Sequence, residues 1–159
     1  MVICDTNYFP IVFVLWLDYY SPELFDLFWQ FRDEQLADRV EKVVLVHLVD
    51  GAEPPSATTR KYLADRSKAD PRLAPGNVQF MQVMCVSNPL LRGVLTAVNW
   101  MTGKDTFPMA YEPDLPKGID TAKAILDAAK LPYPKIDSAS YILPKRESLK
   151  NRDFEKIYS

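Results

Sequence analysis

At 159 residues the chain fits one domain and is long enough to bury a sizeable apolar core. Hydrophobic residues make up 48% and charged residues 25%, the balance of a folded globular domain and not of a disordered one. A net charge of −2, with lysines and arginines scattered and not gathered into a stripe, gives no electrostatic basis for nucleic-acid binding.

Residues 1–8 lack the basic start of a signal peptide. The apolar run 9–17 is far shorter than the roughly 20 residues a bilayer span takes, so a soluble cytoplasmic protein with no membrane span is expected. Phe9 to Asp18 reads as a first strand, rich in β-branched and aromatic residues, with Pro10 near its start. Met1 to Thr6 can add a short strand beside it. Ser21, Pro22 and Glu23 then predict a helix start: a cap, a proline in the first turn and an acid at the positive end. The helix runs to about Asp38. Leu24, Leu27, Phe28 and Phe31 share one face by 3.6-residue spacing. Phe25 and Trp29 widen that stripe, which calls for a cover: either the C-terminal tail or a partner surface.

Lys42 to Val49 is almost uninterrupted apolar sequence, as in a central strand buried on both faces, and Asp50-Gly51 ends it. After Pro54 and Pro55, a thinner helix is expected from about Ser56 to Lys68, burying mainly Tyr62 and Leu63. Its Arg60, Lys61, Arg66 and Lys68 read as a solvated face. Pro71 and Pro75-Gly76 close the section. Phe80 to Val86 predicts a buried strand, broken at Ser87-Asn88-Pro89, that feeds a buried helix ending at Gly103. Asn88 suits the cap, Pro89 the first helical position and Gly103 the left-handed turn beyond the end. Phe107 to Tyr111 reads as an edge strand, because Pro108 removes a donor. Asp120 is expected to cap a final helix that buries Ala122, Ile125, Leu126 and Ala129, stopped by Pro132 and Pro134. In the charged tail, Leu149, Phe154, Ile157 and Tyr158 allow a weak amphipathic turn.

This order of elements resembles the SpoIIAA-like, or STAS, domain of bacterial anti-sigma factor antagonists, and is closest to the family's uncharacterised bacterial branch. Residues 6–31 (TNYFPIVFVLWLDYYSPELFDLFWQF) look like the family's early strand and SxEL-type helix. KVVLVHLVDGA looks like its central strand, VQFMQVMCVSNPLLRGVL like the strand, turn and helix that follow, and FPMAYEPDLPKGIDTAKAIL like the last strand and helix. The likeness covers about residues 8–130. It implies an α/β fold with a mixed four- to five-stranded sheet and four helices packed on it. Residues 1–131 would form the domain and 132–159 a C-terminal extension. In the family an Asp-Ser-Ser-Gly turn follows the central strand, and its serine is phosphorylated to switch partner binding. Here that region reads DGAEPPSATTRKYL: the motif is absent, and Ser56, Thr58 and Thr59 are the hydroxyls near its place.

Few residues suggest chemistry of their own. Signatures of nucleotide-binding loops, serine hydrolases, zinc proteases and dithiol redox sites are missing. The single histidine, His47, lies inside the central strand, where a satisfied core role is the ordinary reading and an enzyme built on His47 and Asp50 the remote one. With no second histidine and no cysteine cluster, neither a metal nor a cofactor is expected. Paired carboxylates would need Asp50 or Glu53 to meet Glu112 or Asp114. Cys4 and Cys85 read as buried free thiols, with a disulfide as the alternative if the N-terminus pairs beside the second cysteine's strand. In open α/β sheets ligands meet the carboxyl ends of parallel strands, where helices start. That places a candidate ligand or phospho-regulatory rim at Asp50, Ser56, Thr58, Thr59, Ser87, Asn88 and Arg92. The function expected is a non-enzymatic regulatory or protein-interaction module, its partner a protein or a second copy. The alternative is a binder of a small anionic or lipid-like ligand at that rim or under the aromatic helix.

Overall fold

The computed structural model describes residues 2–17, 20–36, 42–49, 52–73, 80–102, 109–142 and 157–158. Its strands are β1 (Val2–Tyr8), β2 (Ile11–Trp16), β3 (Val43–Leu48), β4 (Phe80–Cys85), β5 (Met109–Glu112) and β6 (Ile157–Tyr158). Its α-helices are α1 (Pro22–Leu36), α2 (Ala57–Lys68), α3 (Pro89–Thr102) and α4 (Leu115–Ala128), with a single 3-10 turn at Pro71–Leu73. The order across the sheet is β5-β4-β3-β2-β1-β6. The β2-β3, β3-β4 and β4-β5 pairs are parallel, while β1 runs antiparallel to β2. This is the mixed five-stranded sheet with four helices that the residue pattern predicts, extended at the β1 edge by the two-residue β6.

Alternation along the strands divides the core between the two faces. Val43 and Leu45 of β3 join Trp16, Phe25, Phe28, Leu63, Leu91 and Leu95 in one cluster, covered by α1, α2 and α3. Val44 and Val46 face the other way and join Phe13, Val83, Ile119, Ala122 and Leu126 under α4. Ile136 belongs to this second cluster, and Tyr141 stacks on Phe13 with ring centroids 4.0 Å apart. Tyr141 also donates from its hydroxyl to the buried Asp5 carboxylate at 2.6 Å. No helix among the described residues is long and apolar enough to cross a membrane.

Several boundaries differ from expectation, each for a local reason. The first strand begins at Ile11 and not Phe9, because Phe9 and the cis-bonded Pro10 make the turn that joins β1 to β2. The carbonyl of Pro10 is then taken by Val44 N–H of β3 at 2.9 Å. The last helix opens at Asp114 and not Asp120: the Asp114 carboxylate accepts from Lys117 N–H, and Pro116 sits in the first turn where no donor is missed. Gly118 is thereby an interior helix residue, and Asp120 an exposed one. The α3 helix is not buried all round, since only Leu91, Leu95 and Thr102 are fully enclosed. Ile157 and Tyr158 pair with Ile3 and Val2 as a strand and form no helical turn. Asp18, Asp38, Pro75, Gly76, Gly103, Phe107, Pro108, Leu149 and Phe154 lie outside the described residues.

The two thiols sit on opposite faces, Cys4 in the first cluster and Cys85 in the second. Their strands are three sheet spacings apart, roughly 14 Å, against a disulfide reach under about 7 Å. Neither forms a disulfide and both are buried, and burial pushes the Cys4 thiol pKa upward.

Candidate functional site

Two helices start at the carboxyl ends of the adjacent parallel strands β3 and β4, on the same face of the sheet. Ser56 caps α2: its Oγ accepts from Thr59 N–H at 3.1 Å and lies 2.9 Å from Thr59 Oγ1. Asn88 caps α3: its Oδ1 accepts from Leu90 N–H at 2.9 Å. Thr58 and Ser87 are exposed, Thr59 is buried, and Arg92 lays its guanidinium over the Tyr111 ring at 5.4 Å. Of the residues expected to line a rim, Ser56, Thr59 and Asn88 are engaged in capping. Asp50 lies outside the described residues. The carboxylates considered for acid–base pairing have structural partners instead, Glu112 accepting from Thr121 Oγ1 at 2.7 Å and Asp114 capping α4.

Below that rim, under the aromatic helix, lies a cavity of about 70 Å³. Its walls include Trp16, Phe25, Phe28, Trp29, His47 and Leu95. His47 accepts on Nδ1 from Trp16 Nε1–H at 3.1 Å, and no protein group among the described residues partners its Nε2. Burial pushes the His47 pKa down to about 3, because the imidazolium would sit among aromatic rings without water. No carboxylate among the described residues hydrogen-bonds to it, and Asp50 lies outside them.

The aromatic helix is covered from within the chain. Trp29 donates to Asp70 Oδ2 at 3.2 Å, and Arg32 reaches the same oxygen at 2.5 Å, both ion-pair partners being buried. Arg72 pairs with Asp33, and Phe25 packs on Trp16 and Tyr20. Segment 70–73 thus clasps α1, and Phe25 and Trp29 are core residues, not a contact surface. The unpartnered apolar surface lies instead on α3, where Leu90, Trp100 and Met101 are 71%, 65% and 45% exposed. With Gly93 and Ala97 they fall within one stripe of the helix by 3.6-residue spacing.

No family model and no curated protein matches the sequence. Solved structures do match. An uncharacterized protein from the DUF3478 family with a SpoIIAA-like fold, from Shewanella loihica PV-4, superposes with a TM-score of 0.53 at 11% identity, over 77% of this chain and 92% of that chain. This chain has a SpoIIAA-like fold. An anti-sigma factor antagonist from Mycobacterium paratuberculosis also matches, at 15% identity and a TM-score of 0.46, over 77% of this chain and 93% of that one. In this chain the segment after β3 carries Ser56 as the cap of α2 and Thr58 in the first turn of that helix.

Three features had no sequence signal: the Arg32–Asp70 clasp, the cavity beside His47 and the outward stripe of α3. The clasp joins residues far apart in the chain. The cavity is a property of packing. The stripe is masked by an apolar run that reads as buried all round.

Proposed function

We propose that this domain is a non-enzymatic regulatory or protein-interaction module whose contact surface is the outward face of α3, with the rim at Ser56, Ser87 and Asn88 beside its start. The observation that supports it is the exposure of Leu90, Trp100 and Met101 on one side of a single helix. A large exposed apolar patch on a soluble domain costs solubility unless a partner covers it. A Cβ built at Gly93 meets nothing within 4 Å, so a neighbouring helix can approach closely there. Set antiparallel to its own copy, the stripe brings Leu90 opposite Trp100 and Gly93 opposite Ala97, large against large and small against small. A second copy of the chain is therefore the first partner to test.

Sedimentation velocity over a micromolar to millimolar range reads this directly. The wild type should self-associate, and Trp100→Glu and Leu90→Glu should stay monomeric with an unchanged circular dichroism spectrum. A photo-crosslinker in place of Met101 should capture the same partner. A wild type that stays monomeric throughout, with no crosslink formed, overturns the proposal. Of the three hydroxyls at the start of α2, the exposed Thr58 is the candidate for modification, since Ser56 is held in its cap and Thr59 is buried. A phosphoryl group on Thr58 would bring a charge of roughly −1.5 to −2 to the positive end of α2. Intact-mass measurement on protein from its native cell tests that switch, and phosphate-free protein under every growth condition removes it.

A further inference from the structure

We propose that the cavity under α1 and α3 binds a small, neutral, mostly apolar molecule that offers a hydrogen-bond acceptor, such as a carbonyl oxygen, to Nε2 of His47. The proposal is separate from the protein-interaction reading and rests on a different part of the molecule. Indole N–H can only donate, so the 3.1 Å contact from Trp16 Nε1 makes His47 Nδ1 the acceptor. Burial keeps the imidazole neutral near pH 7. A neutral imidazole carries one proton, and with Nδ1 accepting it resides on Nε2. That N–H is buried, and no protein acceptor among the described residues meets it. A buried donor left unmet is costly and uncommon in native cores, and it is met here if an occupant supplies the oxygen.

The cavity has room for such an occupant. Its volume of about 70 Å³ is several times the roughly 10–15 Å³ that one water needs. A single water at Nε2 would therefore fill only a small part of it. Among the described residues no charged side chain lines the walls, so an anionic ligand would meet no counter-charge from them. Besides His47, the polar groups that line it are the Tyr20 hydroxyl and the side chains of Ser67, Gln82, Asn99 and Thr102, and the rest is aromatic or aliphatic. A single ring bearing one carbonyl matches this division.

The test compares acetophenone with α-methylstyrene, which has the same planar shape with a methylene in place of the oxygen. Both are titrated into the full chain by calorimetry. A parallel long-range ¹⁵N spectrum of the single histidine reports which ring nitrogen carries the proton. The ketone should bind about tenfold more tightly, the scale of one buried neutral hydrogen bond. The proton should be found on Nε2, and the Nε2 resonance should move with acetophenone but not with α-methylstyrene. His47→Phe, if its circular dichroism is native, should bind the two equally; if it fails to fold, the wild-type comparison decides alone. Equal binding to the wild type, no binding of either probe up to its solubility limit, or a proton found on Nδ1 would each overturn the proposal.

Discussion

Replacing Gly118 with alanine tests the packing of α4 at a single atom. On an exposed helix the change would stabilise by about 0.5–1 kcal/mol, because glycine loses more backbone freedom on folding. Here the added Cβ would lie 2.3 Å from Cys85 Sγ, with the Val46 and Val83 methyls at an ordinary 3.6 Å. The sulfur is itself buried in β4, so either it rotates off its preferred position or α4 lifts from the sheet. Overpacking of this kind costs about 1–3 kcal/mol. The net expectation for Gly118→Ala is a loss of about 1–2 kcal/mol, with a fall in Tm of roughly 2–4 °C for each kcal/mol in a chain this long. In a Cys85→Ala background the obstructing atom is gone, and the same change should stabilise by up to about 1 kcal/mol. Urea unfolding of the wild type, both single variants and the double variant, followed by circular dichroism, closes the cycle. If Gly118→Ala stabilises the wild type, or costs the same with and without the thiol, the close approach of α4 to β4 is wrong.

The clasp on α1 should be strongly felt. Asp70→Ala removes the buried carboxylate paired with the Arg32 guanidinium and takes the acceptor from the Trp29 indole, so a loss of about 3–5 kcal/mol is expected in urea unfolding. A loss under about 1 kcal/mol would mean that the clasp is not formed in solution. The buried imidazole makes stability fall with acid. Its folded pKa of about 3 lies below the ordinary 6.5, so the unfolded chain binds the extra proton and stability rises with pH between those values. From pH 7 to pH 5 this group alone should remove about 2 kcal/mol. His47→Gln should lack that share of the pH dependence, and an identical slope in both proteins would refute the burial argument.

Much of the fold was legible because its signals are local. Ser21-Pro22, Ser56 and Asn88-Pro89 mark helix starts through hydrogen bonds made within one turn, and Val43–Leu48 announces a two-sided core strand by composition alone. Errors arose where two local readings competed. Asp114 and Asp120 both precede apolar helical spacing, and the close approach of Cys85 Sγ to Gly118, which places that glycine inside the helix, has no signal in the sequence. β1 was read short, because Asp5, Thr6 and Asn7 dilute its apolar pattern while Asp5 is in fact buried and bonded to Tyr141 from far along the chain. Less of the candidate site was legible. Topology predicts the two helix starts at Ser56 and Asn88, but the α3 stripe has no local signal: burial of Leu91 and Leu95 and exposure of Leu90 and Trp100 depend on where the sheet lies. The partner of Trp29 is Asp70, a residue whose own sequence context is an unremarkable loop, and Phe25 packs on Trp16 and Tyr20.

The alternation of one hairpin with three parallel crossovers also shapes how the chain reaches this state. β1 and β2 are joined by two residues and can pair early, whereas β3 meets β2 and β4 only after long segments have been brought round. Non-local pairing of that kind slows folding, because loop-closure entropy is lost before the contacts that reward it exist. The strand left waiting longest for both neighbours is β3, the most continuously apolar segment of the sheet. In nascent or heated protein that strand is the one most open to wrong pairing, so aggregation during synthesis should respond to changes in β3 far more than the native surface would suggest.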